Sequence, residues 1–219
     1  MVDFSKFDWG NVSTSFKTQN TTELTDHNEY ERLFPVEEGD IVVDIGASVG
    51  PFTYSILSKK PKHCWVVEPM PHQFQTLKNN LMGSPVSFIK AAITDLKKVE
   101  IKWDGNVCTP RAIPFNQFLE ENEINKIDFL KVDCEGGEYN VFSQSNIPFL
   151  LTVPKIVAEC HLWQDSLENF KFKLFRDNIL PQFPNYKFYS IDGIDVTWDL
   201  HNQHFLDYYK EVLLYIDNR

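Results

Sequence analysis

Residues 41–50, IVVDIGASVG, constrain the fold more than any other part of the chain. A β-branched apolar run ends in an acid, a glycine-bounded turn follows, and PFTYSIL can then start a helix. Strand, tight turn and helix in that order are the grammar of a nucleotide or nucleoside-cofactor site. Gly46 and Gly50 let the backbone approach a ligand where a side chain would block it. The dinucleotide fingerprint G-x-G-x-x-G is not met: with Gly46 as the middle glycine, the first position is Asp44 and the last is Val49. A bare glycine turn is often only a tight connection, and the acid that begins this one argues for a site.

A second acid supports that reading. Residues 63–68 read HCWVVE, an apolar run ending in Glu68, and Pro69 stops the strand. In a doubly wound sheet the first two strands are neighbours, and their carboxyl ends form one ligand-binding rim. An acid there can accept hydrogen bonds from both hydroxyls of a ribose, each worth roughly 1.5–3 kcal/mol. The plain alternative is an acid that caps the next helix.

Composition bounds the rest. A chain of 219 residues, 42% apolar, fits one domain with a sizeable core. The net charge of −10 argues against tracking along a phosphate backbone, so no nucleic-acid partner is expected, although a local basic pocket is compatible with it. The start, MVDFSKFDWG, lacks the basic and apolar regions of a signal peptide. No apolar stretch approaches a membrane span of ~20 residues. Cys64, Cys108, Cys134 and Cys160 form no C-x-x-C pair, and three lie in apolar runs, which predicts reduced thiols and a cytoplasmic location. The sequons at Asn11 and Asn20 then read as chance. Oligomeric state is not legible.

Residues 11–28 are rich in Ser, Thr and Asn without a sustained period, which predicts an N-terminal arm or partial lid over 1–28 ahead of a single domain over 29–219. Strands are expected at 41–45, 64–68, 86–93, 127–132, 155–160, 186–191 and 211–216, with an extra strand at 99–103. Helices are expected at 52–58, from Pro71 to Gly83, and at 115–123. Asp165 with Glu168 starts another helix, whose two stripes (Leu167, Phe170, Leu174 and Phe172, Phe175, Ile179) predict burial on two sides. Strands alternating with helices imply an α/β fold with a mostly parallel sheet and helices on both faces.

The chemical centre is expected where the fourth and fifth strands end. KVDCEGGE supplies Lys131, Asp133, Glu135 and Glu138, and VAECH supplies Glu159 and His161. Strand alternation puts Asp133 and Glu135 on one side with Cys134 opposite, and Glu159 and His161 on one side with Cys160 opposite. Burying so much charge is costly unless it is paired or bound to a ligand, which marks the cluster as a candidate site. For any single acid, helix capping or a surface ion pair is the plain alternative.

The D-x-G-A-x-x-G loop is similar to motif I of class I S-adenosylmethionine (SAM) methyltransferases. With DIGASVG, VVEPMPHQFQTLKNN, KAAITD, IPFNQFLEENEINKIDFLKVDCEGGE and IVAECH in that order, over about residues 29–161, the chain resembles the FkbM-type methyltransferase family. The K-x-D-x-E-G-x-E element is the most specific of these. The resemblance implies a Rossmann-like class I methyltransferase sheet of seven strands with an antiparallel last strand, SAM as donor, and O-methylation of a sugar or polyketide-type small molecule. Ser48 stands where members commonly carry Asn, and it still offers a donor and an acceptor. Cys134 and Gly137 replace more usual aliphatic residues. Beyond His161 the match is poor, and acceptor choice would be decided there.

On this reading Gly46, Ala47, Ser48 and Gly50 meet the methionine part of the cofactor. Asp44 orients that loop or the amino group, Glu68 and Pro69 hold the ribose, the turn at Ala92 lies near adenine, and Asp133 is a further cofactor-binding candidate. A sulfonium is already electrophilic, so catalysis is mainly alignment, worth roughly 7–11 kcal/mol. A base adds about 10²–10⁴-fold. His161 is the base candidate by type, with a structural histidine as the alternative. In a rival reading Asp133, Glu159 and His161 hold Mg²⁺ or Mn²⁺. Lys131 orients the acceptor or neutralises Asp133, Glu135 and Glu159. Trp163 either stacks on a sugar face or packs beside the rim. The expected activity is SAM-dependent O-methylation of a glycan or small polyhydroxy acceptor. The alternative is a non-catalytic SAM- or nucleoside-binding module.

Overall fold

A parallel strand covered by helices on both faces reads as an unbroken apolar run. β1 (Ile41–Ile45) is such a strand, with Val42, Val43 and Ile45 buried. The computed structural model describes residues 2–26, 28–103, 105–163, 167–202 and 204–219. β1 is an interior strand of a seven-stranded sheet. On one side run β2 (His63–Val67) and β3 (Val86–Ile89); on the other run β4 (Phe129–Val132) and β5 (Lys155–His161), all paired in parallel. β6 (Tyr186–Tyr189) forms the far edge, and β7 (Glu211–Asp217) lies between β5 and β6, antiparallel to both. This is the mostly parallel sheet with an antiparallel last strand that the resemblance implies.

Alternation along each strand divides the core into two layers. Val43, Ile45, Leu130, Val132, Ile156 and Ala158 share one face with Phe118, Phe142 and Phe172. Val42, Val66, Phe129, Val157 and Leu213 share the other with Phe52, Leu77 and Leu81. The second layer is covered by α2 (Pro51–Ile56) and α3 (Pro71–Leu81), both opened by a proline whose missing N–H costs nothing there. Register puts Asp44 of β1 opposite Val66 of β2, so the ends carrying Asp44 and Glu68 are adjacent.

Several elements depart from expectation. The arm forms a helix, α1 (Thr14–Thr25), capped by Ser13, whose Oγ accepts from Phe16 N at 3.2 Å. Thr18, Thr21 and Thr25 donate back to carbonyls one turn earlier, which suits a helix without an apolar period. Ahead of it, Phe7 and Trp9 bury against Val49. The strand expected at 86–93 breaks after Ile89. Ala92–Ile93 pairs in parallel with Ala112–Ile113, away from the main sheet. The extra strand is one arm of a hairpin, Ile101–Trp103 with Asn106–Cys108. The helix Leu167–Leu174 is present, and the expected start at Asp165 lies outside the described residues. Of its two stripes, Phe172 and Phe175 are buried, whereas Leu167, Phe170 and Leu174 are 62%, 57% and 49% exposed. The helix therefore packs on one face and not two.

Candidate active site

The rim formed by the carboxyl ends of β1, β2, β4 and β5 opens into a cavity of about 560 Å³, within the size range of small-molecule sites. Its floor is the loop after β1. Gly46 and Ala47 both donate their N–H to Val67 O at 3.0 Å, binding the loop to the end of β2. Gly46 has φ +80, and a Cβ there would lie 1.6 Å from Asp133 O. Gly50 has φ +92, and a Cβ there would lie 2.7 Å from Leu77 Cδ1. The close approach these glycines permit is thus to protein as well as to open space: Gly46 also borders the cavity, while Gly50 stands behind it.

Glu68 lies in the cavity wall and is 4% exposed. It accepts the N–H of Ser48 at 2.9 Å and that of Met70 at 2.7 Å. Burial pushes its carboxyl up to about 7 against the pull of those two bonds. Oε2, with Ser48 N–H as its donor, keeps a further acceptor position that a cofactor hydroxyl can fill. With its amide turned to satisfy both ends, Gln73 donates to Glu68 Oε1 at 3.1 Å and accepts from Trp103 Nε1 at 3.1 Å. Pro69, Ala92, Ala47 and Ser48 also line this half.

Asp44 does not reach the cavity; it lies fully buried beneath the loop and accepts from Thr53 Oγ1 at 2.7 Å. Lys131 bridges the floor. Its Nζ donates to Gly46 O at 2.9 Å and stands 3.2 Å from Asp44 and 3.4 Å from Asp133. Burial alone would lower its pKa, but the charges of Asp44 and Asp133 outweigh that and raise it. It is a fixed cation.

The other half of the cavity is acidic, with Asp133, Glu135 and Glu159 in its wall. Strand alternation does not govern the first two, because β4 ends at Val132 and the chain turns: Glu135 has φ +54 and Gly136 φ +89. Cys134, expected on the opposite side, consequently borders the cavity too. Glu135 is the most open of the three acids, its side chain 43% exposed, and burial of the remainder holds its carboxyl near 7 while His161 opposes the shift. Glu159 is held well above the carboxylate range by burial, then by the charges of Asp133 and Glu29.

His161 is 2% exposed and sits behind these acids, off the cavity wall. Its Nδ1 is 2.7 Å from Glu138 Oε1, and its Nε2 is 3.4 Å from Glu135 and 3.7 Å from Glu159. Burial would favour the neutral ring, but Glu138, by charge and hydrogen bond, together with Glu159 and Asp133, pushes the imidazole up to about 11. At neutral pH it is an imidazolium. Charged in this way the ring donates from both nitrogens, whereas a base or a metal ligand needs the neutral form. Of the residues expected as metal candidates, Asp133 and Glu159 line the cavity and His161 lies behind them, its Nε2 3.7 Å from Glu159. Asp133, Glu135 and His161 have mutually close donor atoms, as do Glu159, His161 and Glu211. Glu138 is buried, accepting also from Cys134 N at 3.2 Å and Gly136 N at 3.1 Å, so it anchors the turn.

The sequence suggests a partial lid over 1–28 but names none of the roofing residues, and it gives no sign of one clasp. Phe16 and Asn20 of α1 and Trp103 of the hairpin close the cavity from above, and the rings of Phe16 and Trp103 meet edge-on at 6.1 Å. Tyr30 reaches Asp133 and Glu159 with its hydroxyl. None of these residues carries a motif. Trp163 lines the acidic half, 38% exposed, with its ring 5.1 Å from that of His161.

Residues 83–188 match the family described as the methyltransferase FkbM domain. Hexuronic acid methyltransferase AglP of Haloferax volcanii is 24% identical over 149 residues, 61% of this chain and 61% of that protein. The chain thus matches about three-fifths of the length of that relative. The fibrillarin pre-rRNA processing protein of Methanococcus jannaschii superimposes with a TM-score of 0.55 at 12% identity, covering 90% of this chain and 75% of that one. An rRNA methylase from Streptococcus thermophilus gives 0.51 at 8% identity, covering 94% and 97%. These two likenesses carry the fold alone. Among the described residues no helix is long and apolar enough to cross a membrane.

Proposed function

We propose that this chain, whose residues 83–188 match the methyltransferase FkbM domain, is a SAM-dependent methyltransferase that transfers the methyl group to a hydroxyl of a glycan or small polyhydroxy acceptor. One observation carries the proposal: a single cavity joins Glu68 at one end to Asp133, Glu135 and Glu159 at the other. Glu68 would hold the ribose diol, the backbone of residues 46–48 the methionine part, and Ala92 with its neighbours the base. Asp133 would border the methionine end. SAM supplies a methyl carried on a sulfonium, which leaves as a neutral thioether.

The chain's own task is to align the acceptor and take its proton. The base role moves from His161 to Glu135, which is open to the cavity and titrates near neutrality, where general bases work best. The imidazolium of His161 stands behind it as a fixed counter-charge, and Lys131 does the same beneath Asp133. A glycan acceptor is favoured by the hexuronic acid that the AglP relative is named for methylating and by the half-exposed Trp163 in the wall. Residues 1–28 act as the arm that roofs the site, and 29–219 as the methyltransferase domain.

Calorimetry with S-adenosylhomocysteine, followed by labelled methyl transfer to uronic-acid sugars and polyols, tests the proposal. Stoichiometric binding and a mass gain of one methyl on a hydroxyl are expected. Glu68→Ala should weaken binding about tenfold or more, the scale of a lost charge-assisted hydrogen bond. Absence of binding at millimolar concentration rejects the reading.

The second reading, a non-catalytic SAM- or nucleoside-binding module, is favoured by the internal pairing of Lys131 and His161. It predicts binding without transfer to any acceptor, whereas Glu135 at the cavity wall favours transfer.

A further inference from the structure

The turn that follows α1 puts a phenol among the acids. Tyr30 lies in the turn Glu29–Glu31 and is 7% exposed. Its hydroxyl donates to Asp133 Oδ2 at 2.9 Å and lies 3.3 Å from Glu159 Oε2. The two carboxyls come from different strand ends, and all three side chains border the cavity. The ring is held independently of the hydroxyl. It meets Phe52 edge-on at 5.4 Å, and Lys131 Nζ stands 5.0 Å from its centroid.

A phenol has one proton to donate. Asp133 takes it, and Lys131 Nζ is 3.4 Å from the same carboxyl oxygen, so both donors point at Asp133 Oδ2. The contact with Glu159 is then a hydrogen bond only when Glu159 carries a proton and donates it to the phenol oxygen. Burial beside Asp133 and Glu29 favours that protonated form. Without the hydroxyl, the two acids would lose a group that touches both carboxyls, and their mutual repulsion would be less restrained.

We infer that Tyr30 is a positioning residue for methyl transfer, its hydroxyl clasping Asp133 and Glu159 into one fixed pair at the acidic end of the cavity and joining that pair to the N-terminal arm. The inference rests on the transfer reading above and extends it to a residue outside the FkbM match. The same segment carries α1, whose Phe16 and Asn20 roof the cavity, so roof and acids are linked through one hydroxyl.

Tyr30→Phe removes the hydroxyl and keeps the ring contacts. Expected is a fall in kcat of about tenfold, with the KM for SAM and the Kd for S-adenosylhomocysteine unchanged. Unchanged kcat overturns the inference, and so does a loss of cofactor affinity in step with kcat, which would mark a purely structural role. The clasp is also read without turnover, from melting temperatures of Tyr30→Phe, Asp133→Ala and the double variant. Losses that are less than additive support it, and full additivity overturns it. If the wild type binds cofactor but methylates no acceptor while the coupling persists, the proposed function fails. The role of Tyr30 in transfer fails with it, leaving a structural contact.

Discussion

Lys131 holds its ammonium 3.2 Å from the carboxylate of Asp44, with the lysine side chain 4% and the aspartate side chain 0% exposed. This pair, from adjacent strands, also fixes Gly46 O and so sets the floor of the site. Removing one partner strands the other charge in the interior. Lys131→Met should therefore destabilise the protein by about 3–5 kcal/mol. Adding Asp44→Asn should recover part of that loss, because the stranded charge is gone. Denaturant unfolding of the three variants checks it; equal stability of Lys131→Met and wild type would show that the pair contributes nothing.

Glu135 should govern the pH dependence of turnover. Its carboxyl titrates near 7, raised chiefly by burial, and only the ionised form accepts the acceptor's proton. The kcat should therefore rise as pH increases through about 7 and level off above it. Glu135→Gln should lower kcat by about 10²–10⁴-fold and remove that rise, with cofactor affinity intact by calorimetry. A rising limb that survives in Glu135→Gln would assign the base elsewhere.

How much of this was legible in the sequence depends on how local each signal was. β1, its loop and the acid at Glu68 were readable because one short window carries strand, turn and acid. The acidic end was readable as a cluster but not in its geometry. Alternation assumes that the strand continues, and the left-handed backbone at Glu135 and Gly136 ends it. Side-chain type suggested His161 as a base, yet the protonation state comes from Glu138, Glu159 and Asp133 around it, a three-dimensional property. α1 shows no apolar period, since its helix is stabilised by a cap and by docking over the cavity. Tyr30 is 103 residues from Asp133, and nothing in its own segment announces the contact.

The His161–Glu138 pair should make stability pH-dependent in a defined window. The folded-state pKa of His161 is raised from 6.5 to about 11. The stability it contributes is thus fully present below pH 6.5 and is lost as pH rises through about 11. His161→Asn should melt well below wild type at pH 6. The gap between the two should narrow steadily as pH approaches 11. A gap constant from pH 6 to 11 would mean that the ring is neutral throughout and packs only by shape.

Gly46 and Gly39 separate steric necessity from backbone preference. Both have positive φ, +80 and +89, but a Cβ at Gly46 would meet Asp133 O at 1.6 Å, whereas one at Gly39 has nothing within 4 Å. Gly39→Ala pays only the cost of a left-handed alanine, about 1–2 kcal/mol. Gly46→Ala must also push the loop off the end of β4, breaking the N–H bonds of Gly46 and Ala47 to Val67 O and the bond from Lys131 to Gly46 O. The expected result is a folded, cofactor-binding Gly39→Ala beside a Gly46→Ala that binds no S-adenosylhomocysteine and melts far lower. Comparable melting and binding in the two variants would show that the loop has room the geometry denies it.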